Sequence, residues 1–174
     1  MDAMEAIRTR RSIRRYTSEK IPEELVRELV YAGMSAPSAG NSQPWHFVLV
    51  DDRKLLDEVP TFHPYSTMLK DAPLAILVCV DLNLGSNEGL LVQDGSAATE
   101  NILLAAHANG LGAVWLAIYP LKERIAGMRK LLGMPQHILP LSLVSLGYPA
   151  EKRSGEDRYQ PSRVHRNRWS FGQD

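Results

Sequence analysis

Residues 94–109 read DGSAATENILLAAHAN, the strongest helical stretch in the chain. Asp94 stands where an N-cap belongs, and Gly110 stands just past the end, where a helix stops. Between them Ala97, Ala98, Ile102, Leu103, Leu104, Ala105, Ala106 and Ala108 put small or apolar side chains on nearly every face. A helix of that kind has to be covered all round. A single domain can bury one such helix at its centre, and a dimer interface supplies cover equally well.

The segments on either side of it alternate between helix and strand. Residues 2–9 read as a short helix capped by Asp2, and residues 22–34 as a helix with Pro22 in its first turn. The turn-rich SAPSAGNSQP (35–44) stops that helix. WHFVLV (45–50), LAILVCV (74–80), GAVWLAIY (112–119) and LSLVSLGY (141–148) read as strands. The second of these is apolar without interruption, as expected of a strand covered on both faces. Short helices are expected over 52–59 and 120–133, a loop with one helical turn over 60–72, and a loop over 82–89. Four strands with helices between them imply α+β or α/β in three layers.

The chain has 174 residues, equal totals of acidic and basic residues (20 each) and one cysteine, Cys79. That length suits one domain, 1–174, with a polar, extended tail over 150–174. Zero net charge and the absence of a recognition motif count against nucleic acid as a partner. A lone cysteine permits no internal disulfide, no segment approaches the ~20 apolar residues of a membrane span, and no signal-peptide core opens the chain. The expectation is a soluble cytoplasmic protein without membrane association. The five histidines never fall at ligand spacing, so no metal site is expected. No dinucleotide fingerprint, P-loop or serine elbow appears, and Cys79 has no charged neighbour to activate it. Chemistry without a side-chain nucleophile points to a cofactor.

Three segments could hold one. RTRRSIRRY (8–16) packs five arginines into nine positions. As a helix it would be a solvated basic stripe. As an extended segment it would turn Arg10, Ser12, Arg14 and Tyr16 to one side, a receptor for a phosphate or for a ring edge that becomes anionic on reduction. APSAGNSQPWHF (36–47) carries Asn41 and Gln43, amides that both donate and accept, as an isoalloxazine or pterin edge requires. GAVWLAIYP (112–120) could offer backbone N–H groups where its strand ends.

Taken in order, RRSIRRY, APSAGNSQPWHFVLV, DGSAATENILLAAHANGLGAVW and EDRYQPSRVH resemble the nitroreductase family of FMN-dependent flavoproteins in its short, single-domain form. The resemblance runs from about Arg10 to His165. It implies a three-layer α+β sandwich with a mainly antiparallel sheet, in an intertwined homodimer with FMN at the interface. It implies that Arg10, Ser12 and Arg14, helped by Arg11, bind the FMN phosphate, ribityl chain and pyrimidine edge. Pro37, Ser38, Ala39, Asn41 and Gln43 would reach FMN partly across the interface. Backbone N–H groups of Leu116, Ala117 and Ile118 would lie near flavin N5, and Arg163 would close on the phosphate.

The activity so implied is hydride transfer from NADH or NADPH through FMN to nitroaromatics, quinones or similar acceptors, the flavin itself carrying the chemistry. A specialised flavin reaction (reductive dehalogenation or flavin fragmentation) and a non-catalytic FMN-binding storage or sensor role are the alternatives. Many relatives carry glycine or an acid where this chain has Ala117 and Ile118, which narrows the space above the flavin. In loop 60–93, Phe62, His63, Tyr65 and Gln93 are candidate pocket residues.

Overall fold

The computed structural model describes residues 1–85, 87–155 and 157–169. Ser86 of the 82–89 loop, Glu156 and the last five residues of the tail lie outside the described residues. Helices α1 (Ala3–Thr9) and α2 (Glu23–Met34) lead to strand β1 (Trp45–Val50), helix α3 (Arg53–Glu58) and strand β2 (Leu74–Asp81). Helix α4 (Glu88–Ala108), strand β3 (Gly112–Ala117), helix α5 (Lys122–Leu132) and strand β4 (Ile138–Gly147) follow. The sheet order is β1-β2-β4-β3 and every pairing is antiparallel, which decides for α+β.

Alternation along the strands builds two cores. Leu77 of β2, Leu143 of β4 and Val114 and Leu116 of β3 pack with Leu56 of α3 and Met128 of α5. Ile76, Val144 and Ala113 face the other way, onto Leu29 of α2 and Ile102 and Ala106 of α4. Strand β2 is therefore covered on both faces, and that is why its seven apolar residues run without a polar break. Strand β4 starts earlier than its expected first residue, Leu141, and takes in Pro140. The register of β2 shifts between Val78 and Cys79 there, and such an irregularity accommodates a residue without an N–H.

Helix α4 corrects two expectations. It begins at Glu88 and is capped by Asn87, whose side chain accepts from Gly89 N–H, so Asp94 is not an N-cap but a buried residue nearly two turns in. Gly95 is there for closeness. A Cβ at that position would stand 2.7 Å from Leu141 Cδ2 and 2.8 Å from Val80 Cγ1. The cover over α4 is also incomplete within one chain. Ala97, Leu104 and Ala105 are only half-buried, while Met4 and Ile7 of α1 and Tyr31 and Met34 of α2 are exposed.

Candidate functional site

Residues 10–16 are extended, not helical. Arg10 leaves α1 with ψ 133°, Ser12 pairs in parallel with Ala113 of β3, and Ile13 N–H donates to Ala113 O at 3.0 Å. The far end is pinned by Tyr16, which pairs with Pro149 and whose hydroxyl lies 2.8 Å from Ile13 O and 3.2 Å from Ser145 O. Burial pushes the Tyr16 phenol well up, so it stays a donor. Tyr16 thus departs from the face expected for Arg10, Ser12 and Arg14: its ring belongs to the core, where its apolar area is worth more than exposure. The tail supports the outer side, with Arg14 N–H donating to Glu151 Oε1 at 2.6 Å and Ala150 N–H to Arg15 O at 2.9 Å.

At the α1 end of this strap lies a cavity of about 810 Å³ whose lining includes Arg8, Arg10, Arg11 and Arg158, with Asp157 as its one acid. Arg10 is steadied by Glu100 of α4 at 3.4 Å. Arg11 is a brace: its Nη1 donates to Arg8 O and Arg10 O, at 3.0 and 2.6 Å, and its Nε to Ser154 O at 3.3 Å. Arg8, exposed at the end of α1, also lines the cavity. Arg163 sits in an exposed single turn, Pro161–Arg163, and is not among the lining residues. Arg158, five residues earlier in the same EDRYQPSRVH segment, lines the cavity. Both arginines match a late basic residue, and only the path of the tail separates them.

At the other end of the strap a cavity of about 460 Å³ is lined by Arg14, His63, Tyr65, Trp115, Ala117 and Arg124, among others. Strand β3 is the edge of the sheet. Because Ala113 O faces the strap, the alternation of an antiparallel ladder turns the backbone groups of residues 113, 115 and 117 outward. Leu116 faces β4, and Ile118 N–H is already donated to Leu141 O at 3.1 Å. Of Leu116, Ala117 and Ile118, Ala117 therefore turns its N–H to the open side. Its carbonyl accepts from His63 Nε2 at 3.1 Å and Arg124 Nη1 at 2.7 Å. Neither the role of His63 nor that of Arg124 is visible in local sequence, since their shared partner is a backbone oxygen, which carries no side-chain signature.

Pro37, Ser38, Ala39, Asn41 and Gln43 lie elsewhere. Their loop enters β1, at the opposite edge of the sheet and three strand spacings, about 14 Å, from β3. The loop is tightly built. Gln43 Nε2 donates to Asn41 Oδ1 at 2.9 Å, Gln43 N–H to Ser38 Oγ at 3.0 Å and Ala39 N–H to Asp94 Oδ1 at 3.0 Å. Asn41 and Gln43 have φ of 55° and 47°, in the left-handed region. One chain does not bring these amides to the arginine strap.

His63 makes a pH dependence. Burial, with Arg124 beside it, lowers its pKa below the usual 6.5. The unfolded chain then binds the proton first, so stability falls as pH drops from about 6.5 to the lowered folded value and levels off below it. His107 is lowered by burial and by Arg10 and Arg11, and acts in the same direction. Urea midpoints should therefore fall on acidification through this window. His63→Gln should shrink the fall without abolishing it, because His107 remains.

The nitroreductase family model matches residues 7–62 and 62–148. A protein of Methanothermobacter thermautotrophicus named "Putative NADH dehydrogenase/NAD(P)H nitroreductase" is 50% identical over 97% of this chain and 88% of its own. A crystal structure of the same name from Parabacteroides distasonis superposes with TM-score 0.92 at 42% identity, covering 95% of this chain and 98% of that one. An FMN-dependent nitroreductase from Clostridium difficile superposes with TM-score 0.88 at 26% identity, over 95% and 99% of the two chains. Fold, element order and matched residues agree, and the chain belongs to the nitroreductase family.

Proposed function

We propose that this protein is an FMN-dependent oxidoreductase that takes hydride from NADH or NADPH and passes it to nitroaromatic, quinone or similar small acceptors. The observation that carries the reading is the strap of residues 10–14, with an arginine-lined cavity at one end and the open Ala117 edge at the other. These residues fit FMN. Arg8, Arg10, Arg11 and Arg158 suit its phosphate, and a guanidinium, Arg14, together with the Ala117 N–H suits the polar edge of its ring. When bound, FMN supplies the hydride chemistry at its N5. The one cysteine does not compete for the part: Cys79 is buried in β2, and burial pushes its thiol up to about 12. The FMN-dependent relative from Clostridium difficile supports the cofactor.

The proposal includes a homodimer. The amide loop (Pro37, Ser38, Ala39, Asn41, Gln43) and the strap lie at opposite edges of one sheet, so a second copy is needed to bring them together. Exposed Met4, Ile7, Tyr31 and Met34 beside half-buried Ala97 and Leu104 are the apolar surface such a copy would cover. A cytoplasmic location belongs to the same reading. Among the described residues no helix is long and apolar enough to cross a membrane.

The test is direct. Pure protein should be yellow or take up FMN stoichiometrically, and should elute as a dimer. Anaerobic NADH or NADPH should bleach the flavin, and menadione or a nitroaromatic should restore the colour. A chain that never binds FMN overturns the proposal. Bleaching that fails with both nicotinamides moves it to a specialised flavin reaction or to storage.

A further inference from the structure

We propose that His63 and Arg124 are positioning residues that clamp the Ala117 carbonyl, fixing the Ala117–Ile118 peptide and with it the end of the open edge of β3 from which the Ala117 N–H points. Ala117 is the last residue of an edge strand, and a carbonyl there has no neighbouring strand to accept from. Two donors from separate elements meet on it, His63 from the turn after α3 and Arg124 from the first turn of α5. Together they use both lone pairs of that oxygen. The other end of the same planar peptide is also held. Ile118 N–H donates to Leu141 O at 3.1 Å, and Tyr119 N–H to the same oxygen at 3.0 Å.

Each donor is itself fixed. His63 N–H donates to Val59 O at 3.0 Å, and its carbonyl accepts from Ser66 Oγ at 2.7 Å and Ser66 N–H at 3.1 Å. His63 is 1% exposed, and its ring donates through Nε2 and leaves Nδ1 buried with no partner among the described residues. An apolar side chain would fill the space without that unpaired acceptor, so packing alone does not account for a histidine here. The Arg124 guanidinium lies 5.6 Å from the centre of the Tyr65 ring. Docking of α5 on the turn does not depend on either group. Phe62 lies so close to Gly127 of α5 that a Cβ there would stand 2.4 Å from the ring. Apolar contact already joins the two elements, and the polar convergence on Ala117 serves the strand end.

The clamp rests on hydrogen bonds of the chain itself, and only its consequence for the flavin rests on the FMN reading above. The full-length protein is compared with Arg124→Ala, Arg124→Lys and His63→Phe. Without FMN, hydrogen exchange at the Ile118 and Tyr119 amides should rise about tenfold in Arg124→Ala and His63→Phe, the loss expected of one hydrogen bond to the clamped peptide. Exchange in β4 should stay as in the parent, and Arg124→Lys should restore most of the protection. With FMN, the same two variants should bind about tenfold more weakly and show shifted visible flavin bands, as one lost hydrogen bond predicts.

Unchanged exchange at Ile118 and Tyr119 in Arg124→Ala overturns the clamp, as does a rise spread evenly over the chain. If His63→Phe does not fold, the two Arg124 variants decide. Should the parent protein take up no FMN, the cofactor reading falls, and the exchange data still judge the clamp.

Discussion

Arg14→Ala should raise the Kd for FMN about 30-fold, within the range set by loss of a charge-assisted hydrogen bond, while Arg15→Ala should change it less than about twofold. The two residues are adjacent and both exposed, so the variants lose the same charge from nearly the same place. Their long-range fields are screened alike, and a difference between them isolates direct contact. Arg14 lines the cavity that holds Ala117, whereas Arg15 is not among its lining residues. The strap should survive both changes, because its hold on the tail runs through backbone groups: Arg14 N–H to Glu151 and Arg15 O from Ala150. Fluorescence titration of FMN at two salt concentrations makes the measurement. Equal losses in the two variants would refute the assignment of Arg14 to the site.

Where structure follows from local pattern, it was legible. The cap at Asp2, the helix of residues 23–34 and the apolar run of β2 depend on neighbours a few residues away. Distant partners were not legible. Residues 8–16 fit a helix or an extended strap, and only pairing of Ser12 with Ala113, about a hundred positions on, decides between them. The candidate site repeats the lesson. Arg10 and Arg14 could be named from their spacing, but that Arg158 lines the cavity at the α1 end and Arg163 does not depends on the path of the tail. His63 could be listed only as a candidate pocket residue and Arg124 not at all, because each acts on a backbone oxygen that carries no sequence signature.

Asp94 and Gly95 show the same conflict between local and distant cause, and one substitution separates them. If DGS were a capped helix start, Gly95 would sit in a first turn and Gly95→Val would be nearly neutral. In the structure it lies within α4, against Leu141 of β4 and Val80 of β2, with no room for a Cβ at 2.7–2.8 Å. Valine gains only a few tenths of a kcal/mol in helix propensity over glycine. Overpacking a closed core costs about 3 kcal/mol, so the clash wins. At fixed protein concentration the variant should melt about 6–12 °C lower, from the usual shift of 2–4 °C per kcal/mol in chains of this size. The displacement should also reach the amide loop, because the neighbouring Asp94 holds Ala39 N–H through Oδ1. Proteolysis of residues 35–44 should therefore quicken in Gly95→Val more than its global destabilisation explains. A variant that melts with the parent would mean that α4 stands further from the sheet than these contacts allow.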